Sequence, residues 1–404
     1  MKTAGNHKEI IPYGLHWLDE EDIAQVARAL GSAWITQGPL IEEFERKVAQ
    51  RCGARFAVAF SNGTSALHAA CSAAGIGPGD EVVTTPMTFV ATANAVLYQG
   101  GKPVFADIEP ETLNVDPEKM AQAITPRTKA LLPVHFAGLP CDMERIAQIA
   151  RKAGLAVIED ACQAFGAEWR TSDGRWERVG SCSHSDMTAF SFHPVKHITT
   201  GEGGMVLTNR EELRDRLRAF RHHGLVKAGG KDDPEPWRYE MRFLAYNGRI
   251  SDFQCALGLS QLEKIDRFLE RRWAIAQSYR EAMEGTELVS QRFDPSGVRH
   301  SWHLYVVQVQ SKRPEQDRRE FYCALRNAGI GVNVHHLPVH LHDYYRRRFG
   351  YAPGQFPAAE AYYQRAVTLP LYPRMSDDEV SRVLETVRTE WEAISRGAAW
   401  KSRR

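Results

Sequence analysis

Short apolar runs alternate with helical segments along the first half of the chain. The apolar runs predict strands at FAVAF (56–60), EVVTT (81–85), KPVFADI (102–108), ALLPVHF (130–136) and LAVIED (155–160). Apolar spacing and flanking glycines predict helices over 64–74, 89–98, 117–124 and 143–153. Such alternation indicates an α/β fold, with a mostly parallel sheet that carries helices on both faces.

The pattern changes in the second half. TAFSF (188–192) and GMVLTN (204–209) predict two more strands, and residues 224–250 predict an irregular segment, either a mobile loop or a reach toward a partner subunit. A long helix is predicted from Ser251, as N-cap, to about Met283. The strands LYVVQV and IGVNV and a helix over 380–394 then predict a smaller α+β unit. We therefore expect an N-terminal arm (1–24), a large domain (25–265) and a small C-terminal domain (266–404).

Composition excludes several classes of protein. A chain of 404 residues is too long for a single ordinary hydrophobic core. Its net charge of +1 gives no indication of a basic surface that would bind nucleic acid. The seven cysteines are dispersed without a C-x-x-C pair, which favours a reducing compartment over a disulfide framework. The first residues hold no apolar signal core, and no apolar run is long enough for a membrane span. We expect a cytoplasmic protein without a membrane or nucleic-acid partner.

A turn of small polar residues follows the first strand. SNGTS (61–65) lies between a strand and a helix, and it includes Gly63, Thr64 and Ser65. Small residues allow a ligand to approach the backbone, and the N–H groups at a helix N-terminus favour an anion such as phosphate. The alternative is an ordinary N-cap turn, because Ser, Asn and Thr are common there.

Two ionisable residues follow other predicted strands. Asp160 ends the apolar run LAVIED, where its carboxylate could face a protonated ring nitrogen or simply cap a helix. Lys196 lies in the loop SFHPVKHITTGEGG (191–204), among apolar and small residues. Desolvation there would lower its pKa and expose a nucleophilic amine, whereas the alternative is a surface lysine. An anion cradle, a carboxylate and a nucleophilic lysine together predict pyridoxal 5'-phosphate (PLP) as cofactor.

Long motifs make the chain resemble the DegT/DnrJ/EryC1/StrS family of sugar aminotransferases, from about residue 11 to 384. The resemblance is carried by WITQGPLIEEFE (34–45), SNGTSALHAA (61–70), TTPMTFVATANAVLYQG (84–100), VIEDACQAFGA (157–167), SFHPVKHITTGEGGMVLTN (191–209), YNGRISDFQCALGLSQL (246–262), SWHLYVV (301–307) and GIGVNVHHLPVH (329–340). It implies the aspartate-aminotransferase fold, that of the PLP-dependent transferases of type I.

The resemblance also implies roles for single residues. Lys196 is similar to the Schiff-base lysine and proton carrier, and Asp160 to the partner of the pyridine nitrogen. The resemblance further implies cofactor contacts for Gly63, Thr64, Ser65, Phe89, Gln163, Ser191 and Asn247. Asn247 corresponds to a residue that reaches the phosphate of the neighbouring subunit, which implies a homodimer with shared sites. The chain departs from the family at Gly248, where relatives usually carry an aromatic residue.

Within the family, the motifs are most similar to the transaminases that form UDP-4-amino-4,6-dideoxy-N-acetyl-β-L-altrosamine in pseudaminic acid biosynthesis. This resemblance implies transfer of an amino group from L-glutamate to C4 of a UDP-keto-sugar, with pyridoxamine 5'-phosphate (PMP) as intermediate. The alternatives are an enzyme that acts on the UDP-4-keto-pentose of aminoarabinose synthesis, another nucleotide-sugar aminotransferase, or a non-catalytic regulatory homologue. The last is disfavoured by the presence of Lys196.

Further candidates lie outside the cofactor motifs. Four histidines between 335 and 342 fit no standard zinc spacing, so we expect no metal. His335 is a candidate contact of the uridine or diphosphate. Arg249 and Trp302 are candidate substrate contacts, and the alternatives are a salt bridge and a core aromatic.

Overall fold

A seven-stranded sheet forms the centre of the larger part of the protein. The computed structural model describes residues 10–227, 234–235 and 237–396. In chain order, the elements up to residue 221 are α1 Glu20–Leu30, α2 Pro39–Cys52, β1 Phe56–Phe60, α3 Gly63–Ala73, β2 Glu81–Thr84, α4 Ala91–Tyr98, β3 Lys102–Phe105, α5 Pro117–Gln122, β4 Thr128–Leu132, α6 Met143–Ala153, β5 Ala156–Asp160, β6 Glu168–Arg170, β7 Trp176–Arg178, β8 Met187–Ser191, β9 Gly204–Thr208 and α7 Glu211–Arg221.

The strand order confirms the predicted α/β class. The sheet runs β1-β9-β8-β5-β4-β2-β3, and β9 is antiparallel to both its neighbours, while the pairs from β8 to β3 are parallel. The strands β2, β8 and β9 are buried over their whole length, as strands covered on both faces are. Parallel strands end at the same edge of the sheet, so the loops after β1, β5 and β8 meet there.

The second half forms a smaller unit around a three-stranded sheet of order β12-β14-β15. Its elements, with those that lead into it, are β10 Leu225–Lys227, β11 Tyr239–Met241, α8 Asp252–Glu263, α9 Ile265–Met283, β12 Leu288–Val289, β13 Val298–Arg299, β14 Tyr305–Val309, α10 Pro314–Asn327, α11 Asp343–Phe349, α12 Pro357–Arg365, β15 Ala366–Leu369 and α13 Asp377–Ser395. Within the described ranges, no helix is both long and apolar enough to cross a bilayer.

Separate apolar cores accompany the two sheets. Phe268 of α9 packs with the core of the large sheet, whereas Ile275 of the same helix packs with that of the small unit. Ile11, in the predicted arm, also belongs to the small unit's core, and its backbone pairs with Ile330. The change of core therefore lies inside α9, and the domain limits at 24 and 265 stay predictions.

Three local predictions were wrong. The helix expected from Ser251 to Met283 is interrupted at Lys264, whose amine pairs with Asp19 and Asp22. IGVNV forms no strand, because only single bridges join Ile330 and Asn333 to neighbouring segments. In the segment 224–250, residues 228–233 and 236 lie outside the described residues, and the described residues include a two-stranded ribbon of β10 with β11.

A buried carboxylate from a distant segment caps the N-terminus of α2. Asp252, which is fully buried, accepts hydrogen bonds from the backbone N–H groups of Gly38 (2.6 Å) and Leu40 (3.0 Å). These groups have no partner within the helix, so the carboxylate supplies one and joins α2 to α8.

We expect Asp252→Ala to lower the free energy of unfolding by about 1–3 kcal/mol, because two backbone donors would lose their acceptor. Urea unfolding monitored by circular dichroism measures the change. Asp378→Ala is the matched control, since this exposed aspartate of the first turn of α13 carries the same charge; its loss should stay within about 0.5 kcal/mol. Equal losses in the two variants would contradict the capping role.

Candidate active site

One cavity collects the predicted chemical groups at the carboxyl edge of the large sheet. It has a volume of about 1020 Å³ and opens beyond the ends of β1, β5 and β8. Most of the predicted site residues line it, namely Gly63, Thr64, Ser65, Phe89, Asp160, Gln163, Ser191, Lys196 and His335. Residues far apart in the sequence therefore form a single site.

The turn after β1 presents free backbone donors to this cavity. Asn62 caps α3, and its side-chain oxygen accepts a hydrogen bond from the N–H of Ser65 (2.8 Å). Within the described part of the chain, no acceptor bonds to the N–H groups of Gly63 and Thr64. Together with the helix dipole, these groups can bind an anion such as phosphate. The turn, called the anion cradle below, thus forms an N-cap and also presents donors suited to an anion.

Gly204 brings Ser191 beside this turn. In the sheet register it lies opposite Phe60 on one side and Ser191 on the other. A Cβ atom at Gly204 would lie 2.3 Å from the carbonyl oxygen of Asn62, so no larger residue fits without moving the turn. The absence of a side chain at this position allows the hydroxyl of Ser191 and the N-terminus of α3 to share one wall of the cavity.

Asp160 is held in place by donors on both carboxylate oxygens. The hydroxyl of Thr92, in α4, donates to its Oδ2 at 2.6 Å, and the backbone N–H of Cys162 donates to its Oδ1 at 3.1 Å. The side chain is 5% exposed and faces the cavity. A carboxylate fixed in this way can bind a protonated ring nitrogen in a constant position.

Lys196 enters the cavity from the loop between β8 and β9. Burial of its amine lowers the pKa of Lys196 from its ordinary value, and the buried guanidinium of Arg272 acts in the same direction. Its Nζ lies 3.3 Å from Nε2 of His303. An amine with a lowered pKa is uncharged over a wider range of pH and can therefore act as a nucleophile.

Phe89 and Gln163 contribute side chains with planar groups to the lining of the cavity. The ring of Phe89 is 58% exposed in the single chain and lines the cavity, so a ligand or a partner chain can cover it. Gln163 is buried, and its Oε1 accepts a hydrogen bond from the N–H of Ala137 at 2.7 Å. Both side chains can contact a planar ligand in the cavity.

A polar wall from the small unit faces the cavity. His335 and His336 line it together with Asn333 and Tyr13. The Nδ1 of His335 lies 2.9 Å from the hydroxyl of Thr368, and burial lowers the pKa of His335 to about 4. The Nε2 of His336 is buried and has no partner among the described residues. Uncharged imidazoles here can exchange hydrogen bonds with a polar substrate.

Three predicted residues do not line the cavity of the single chain. Asn247 is exposed, and its Oδ1 accepts a hydrogen bond from the N–H of Arg249 (3.2 Å). Arg249 donates instead to Nδ1 of His222 at 2.6 Å. Trp302 is 1% exposed and stacks on His300 at 3.9 Å within the small unit, so its ring is a core aromatic.

The loop around Asn247 is nevertheless tied to the anion cradle. The carbonyl oxygen of Gly248 accepts a hydrogen bond from the N–H of Ser61 at 2.9 Å. A Cβ atom at Gly248 would meet the ring of Phe60 at an ordinary 3.5 Å, so the space would admit a larger residue. The departure from the family at this position thus leaves the backbone contact with the cradle intact.

Sequence reasoning missed several residues of the site. Thr92 and His303 contact the two central ionisable groups, and Asn333 and His336 belong to the polar wall. Thr92 lies one helical turn after Thr88, and the two side-chain hydroxyls are hydrogen bonded at 2.6 Å. The spacing of Thr88 and Thr92 could have indicated Thr92 from the sequence, whereas the contact of His303 with Lys196 depends on tertiary structure alone.

The donor set of the cavity fits PLP. The cradle suits its phosphate, the fixed carboxylate of Asp160 suits its ring nitrogen, and the desolvated amine of Lys196 suits its aldehyde. In the described residues, no group of three or more His, Cys, Asp or Glu side chains is arranged to hold a metal ion. The cavity is also larger than PLP requires, which leaves room for a substantial substrate.

Comparisons with known proteins agree with this assignment. SpsC of Bacillus subtilis, described as a spore coat polysaccharide biosynthesis protein, is 44% identical over 96% of this chain and 98% of its own length. Spr1654 of Streptococcus pneumoniae, solved in a PLP-form and a PMP-form, is 30% identical with a TM-score of 0.88 over 95% of this chain and at least 99% of that chain. PseC of Helicobacter pylori, an aminotransferase involved in the biosynthesis of pseudaminic acid, is 30% identical with a TM-score of 0.86 over 96% of this chain and all of that chain.

The family assignment covers nearly the whole chain. Residues 16–388 match the DegT/DnrJ/EryC1/StrS aminotransferase family. The structural likeness confirms the predicted fold of the PLP-dependent transferases of type I, and the family's chemistry confirms PLP as cofactor. The chain belongs to the DegT/DnrJ/EryC1/StrS family and is a PLP-dependent aminotransferase.

Proposed function

We propose that the protein transfers the amino group of L-glutamate to C4 of a UDP-4-keto-6-deoxy-N-acetylhexosamine, as a nucleotide-sugar aminotransferase of pseudaminic acid biosynthesis. The observation that carries the proposal is the single cavity, in which a PLP-type donor set adjoins a wall of uncharged polar side chains. The descriptions of PseC and SpsC, which concern pseudaminic acid and a polysaccharide, support a sugar substrate.

The size and lining of the cavity support a large, polar acceptor. At about 1020 Å³, the cavity lies at the upper end of the range of about 300–1000 Å³ for small-molecule sites. Asn333, His335 and His336 offer amide and imidazole groups to hydroxyl, acetamido or diphosphate oxygens. A sugar nucleotide uses such groups, whereas a small keto acid would leave most of them without partners.

PLP, when bound, supplies an electron sink that stabilises negative charge at the carbon bearing the amino group. Lys196 holds the aldehyde carbon as a nucleophile and, once released, carries the proton between the reacting carbons as base and acid. Asp160 keeps the ring nitrogen protonated, since Thr92 and Cys162 fix its carboxylate.

The remaining cofactor residues bind the phosphate of PLP and orient its ring. The N–H groups of Gly63 and Thr64 and the hydroxyls of Ser65 and Ser191 bind the phosphate, and Phe89 and Gln163 restrict the plane of the ring. On the acceptor side, His335 contacts the uridine or diphosphate. Arg249, like Asn247, lies outside the cavity of its own chain, so its predicted substrate contact requires the site of a second copy.

A homodimer with shared active sites is part of the proposal. Asn247 lies outside the cavity of its own chain but is exposed on a loop anchored to the anion cradle. The exposed ring of Phe89 leaves one side of the cavity without cover in a single chain. A second copy that brings its Asn247 to the phosphate would complete the site.

The proposed substrate can be tested by mass spectrometry. With L-glutamate and PLP, the protein should convert UDP-2-acetamido-2,6-dideoxy-β-L-arabino-hexos-4-ulose to the amine, while the UDP-4-keto-pentose stays unchanged. Lys196→Ala should lower turnover at least about 10²–10⁴-fold and abolish the visible band of bound PLP, because nucleophile and proton carrier are lost. Lys129→Ala, an exposed lysine on β4, is the matched control.

The outcomes separate the candidates. If only the UDP-4-keto-pentose is aminated, the proposed hexosamine substrate is wrong, and the substrate is that of aminoarabinose synthesis. A Lys196→Ala variant with wild-type turnover would refute the role of Lys196, and a wild-type protein that glutamate cannot convert to its PMP form would refute the aminotransferase reaction itself.

Shared sites predict complementation between two inactive variants. Lys196→Ala and Asn247→Ala, each impaired alone, should regain activity when unfolded together and refolded as a mixture. A hybrid dimer then has one site with both residues, so up to about a quarter of wild-type activity is expected from random pairing. The assay is glutamate-dependent turnover of the mixture against each variant refolded alone. Activity of the mixture equal to the mean of the two variants would contradict a shared site.

The lowered pKa of Lys196 predicts the pH dependence of cofactor capture. Because burial disfavours the ammonium form, the amine becomes uncharged at a lower pH than an ordinary lysine does. The rate at which the PLP-free protein gains the visible band on addition of PLP should therefore rise at a lower pH than the rate for Nα-acetyl-lysine. Stopped-flow absorbance over a pH series measures both. Coincident profiles would show that the amine is not desolvated.

A further inference from the structure

His303 is the neighbour through which the small unit reaches Lys196. Its Nε2 lies 3.3 Å from Nζ of Lys196, and its side chain is 5% exposed. The other ring nitrogen, Nδ1, is buried and has no partner among the described residues. Within the described part of the chain, the hydrogen-bond partner of this imidazole is therefore Lys196.

The backbone that carries His303 is held from three directions. The guanidinium of Arg272 donates to the carbonyl oxygens of Trp302 (3.0 Å) and His303 (3.3 Å). His197, the residue after the lysine, donates through Nε2 to the carbonyl oxygen of Ser301 at 3.1 Å. The N–H of His303 donates to the carbonyl oxygen of Ala137 at 2.9 Å. These bonds fix the backbone from which the imidazole projects toward Lys196.

Local strain shows that this backbone path is imposed by its surroundings. Trp302 has a φ of 51°, in the left-handed region that bulky residues avoid. Opposite it, a Cβ atom at Gly138 would lie 2.5 Å from Oγ of Ser301 and 3.0 Å from the backbone nitrogen of Trp302. The two segments approach so closely that only glycine fits at 138, and this approach brings His303 to the lysine.

Arg272 adds an unusual feature to the arrangement. It is 1% exposed, and no carboxylate pairs with it within the described ranges; its partners are backbone carbonyl oxygens, including that of Leu371 (3.0 Å). Burying a cation without a counter-charge costs free energy of folding. We therefore interpret Arg272 as a residue that holds the backbone around His303 in position. Burial keeps the pKa of His303 well below the ordinary value, and the charge of Arg272 acts in the same direction, so the imidazole near Lys196 stays uncharged.

We propose that His303 is a positioning residue that holds the released amine of Lys196 by a hydrogen bond, so that the amine stays at the reacting carbons while it carries the proton. The proposal rests on the proposed role of Lys196 in transamination. A neutral amine both donates and accepts, so the contact forms with either tautomer of the imidazole. Without it, the four-carbon side chain samples many rotamers, and proton transfer loses its near-attack geometry.

Two amide variants that differ in reach provide the test. In His303→Gln, the amide can occupy the position of Nε2, whereas in His303→Asn the side chain is one methylene too short to contact Lys196. The rate of the glutamate half-reaction, followed by loss of the visible PLP band in a single turnover, should fall about 10–100-fold in His303→Asn and recover most of that loss in His303→Gln. The half-saturating glutamate concentration should change by less than about twofold, since glutamate binding is not affected.

Folding and cofactor content are measured in parallel. Both variants should melt within a few degrees of each other and retain the visible band, because neither removes Lys196. Equal half-reaction rates in the two variants, at either the wild-type or a reduced level, would overturn the proposal. If His303→Asn fails to fold, His303→Phe takes its place as the variant without a hydrogen bond. If His303→Gln fails to fold, a wild-type rate in His303→Asn or His303→Phe would equally overturn the proposal. Failure of the wild-type protein to react with glutamate would instead refute the proposed function.

Discussion

The close approach of β9 to the turn after β1 is the constraint on which the site depends. Because Gly204 has no side chain, the carbonyl oxygen of Asn62 can approach to 2.3 Å from the position that a Cβ atom would take. This contact sets the N-terminus of α3 beside the end of β8, and the parallel pairing of β8 with β5 then sets Asp160 on the other side. Anion cradle, carboxylate and lysine are thus spaced by backbone pairing, which is rigid, rather than by flexible side chains.

The groups that the sequence identified are those whose position follows from chain connectivity. The turn at 61–65 follows β1, Asp160 ends β5, and Lys196 lies in the loop after β8; an apolar run marks each of these strands clearly. Parallel strands share an edge, so the pattern of strands and helices is enough to predict that these groups converge. The family resemblance supplied Phe89 and Gln163, which no local pattern indicates.

Other parts of the molecule depend on contacts that no local pattern records. IGVNV has the composition of a strand, but its backbone finds only single-residue partners, so the tertiary context overrides the propensity. The long helix is interrupted at Lys264, whose amine pairs with Asp19 and Asp22 at the start of α1. Trp302 is an aromatic residue within a recognisable motif, yet it packs inward, and the residue that reaches the cavity is its neighbour His303. A motif marks a segment and does not specify which of its side chains faces the ligand.

The wall formed by Asn333, His335 and His336 is attached differently from the rest of the lining. Asn333 pairs with Thr368 through a single backbone bridge, and His335 contacts the hydroxyl of the same threonine; Thr368 lies on β15, at the edge of the small sheet. The groups that would hold the cofactor, by contrast, lie at the ends of strands of the large sheet or in the loops that follow them. Under the proposed function, amino-group transfer and acceptor recognition are therefore carried by separate parts of the fold. Replacing the segment around 333–336 with that of a relative would alter which ketone is accepted and leave cofactor binding intact, so new amino sugars could be reached by exchanging one short peptide.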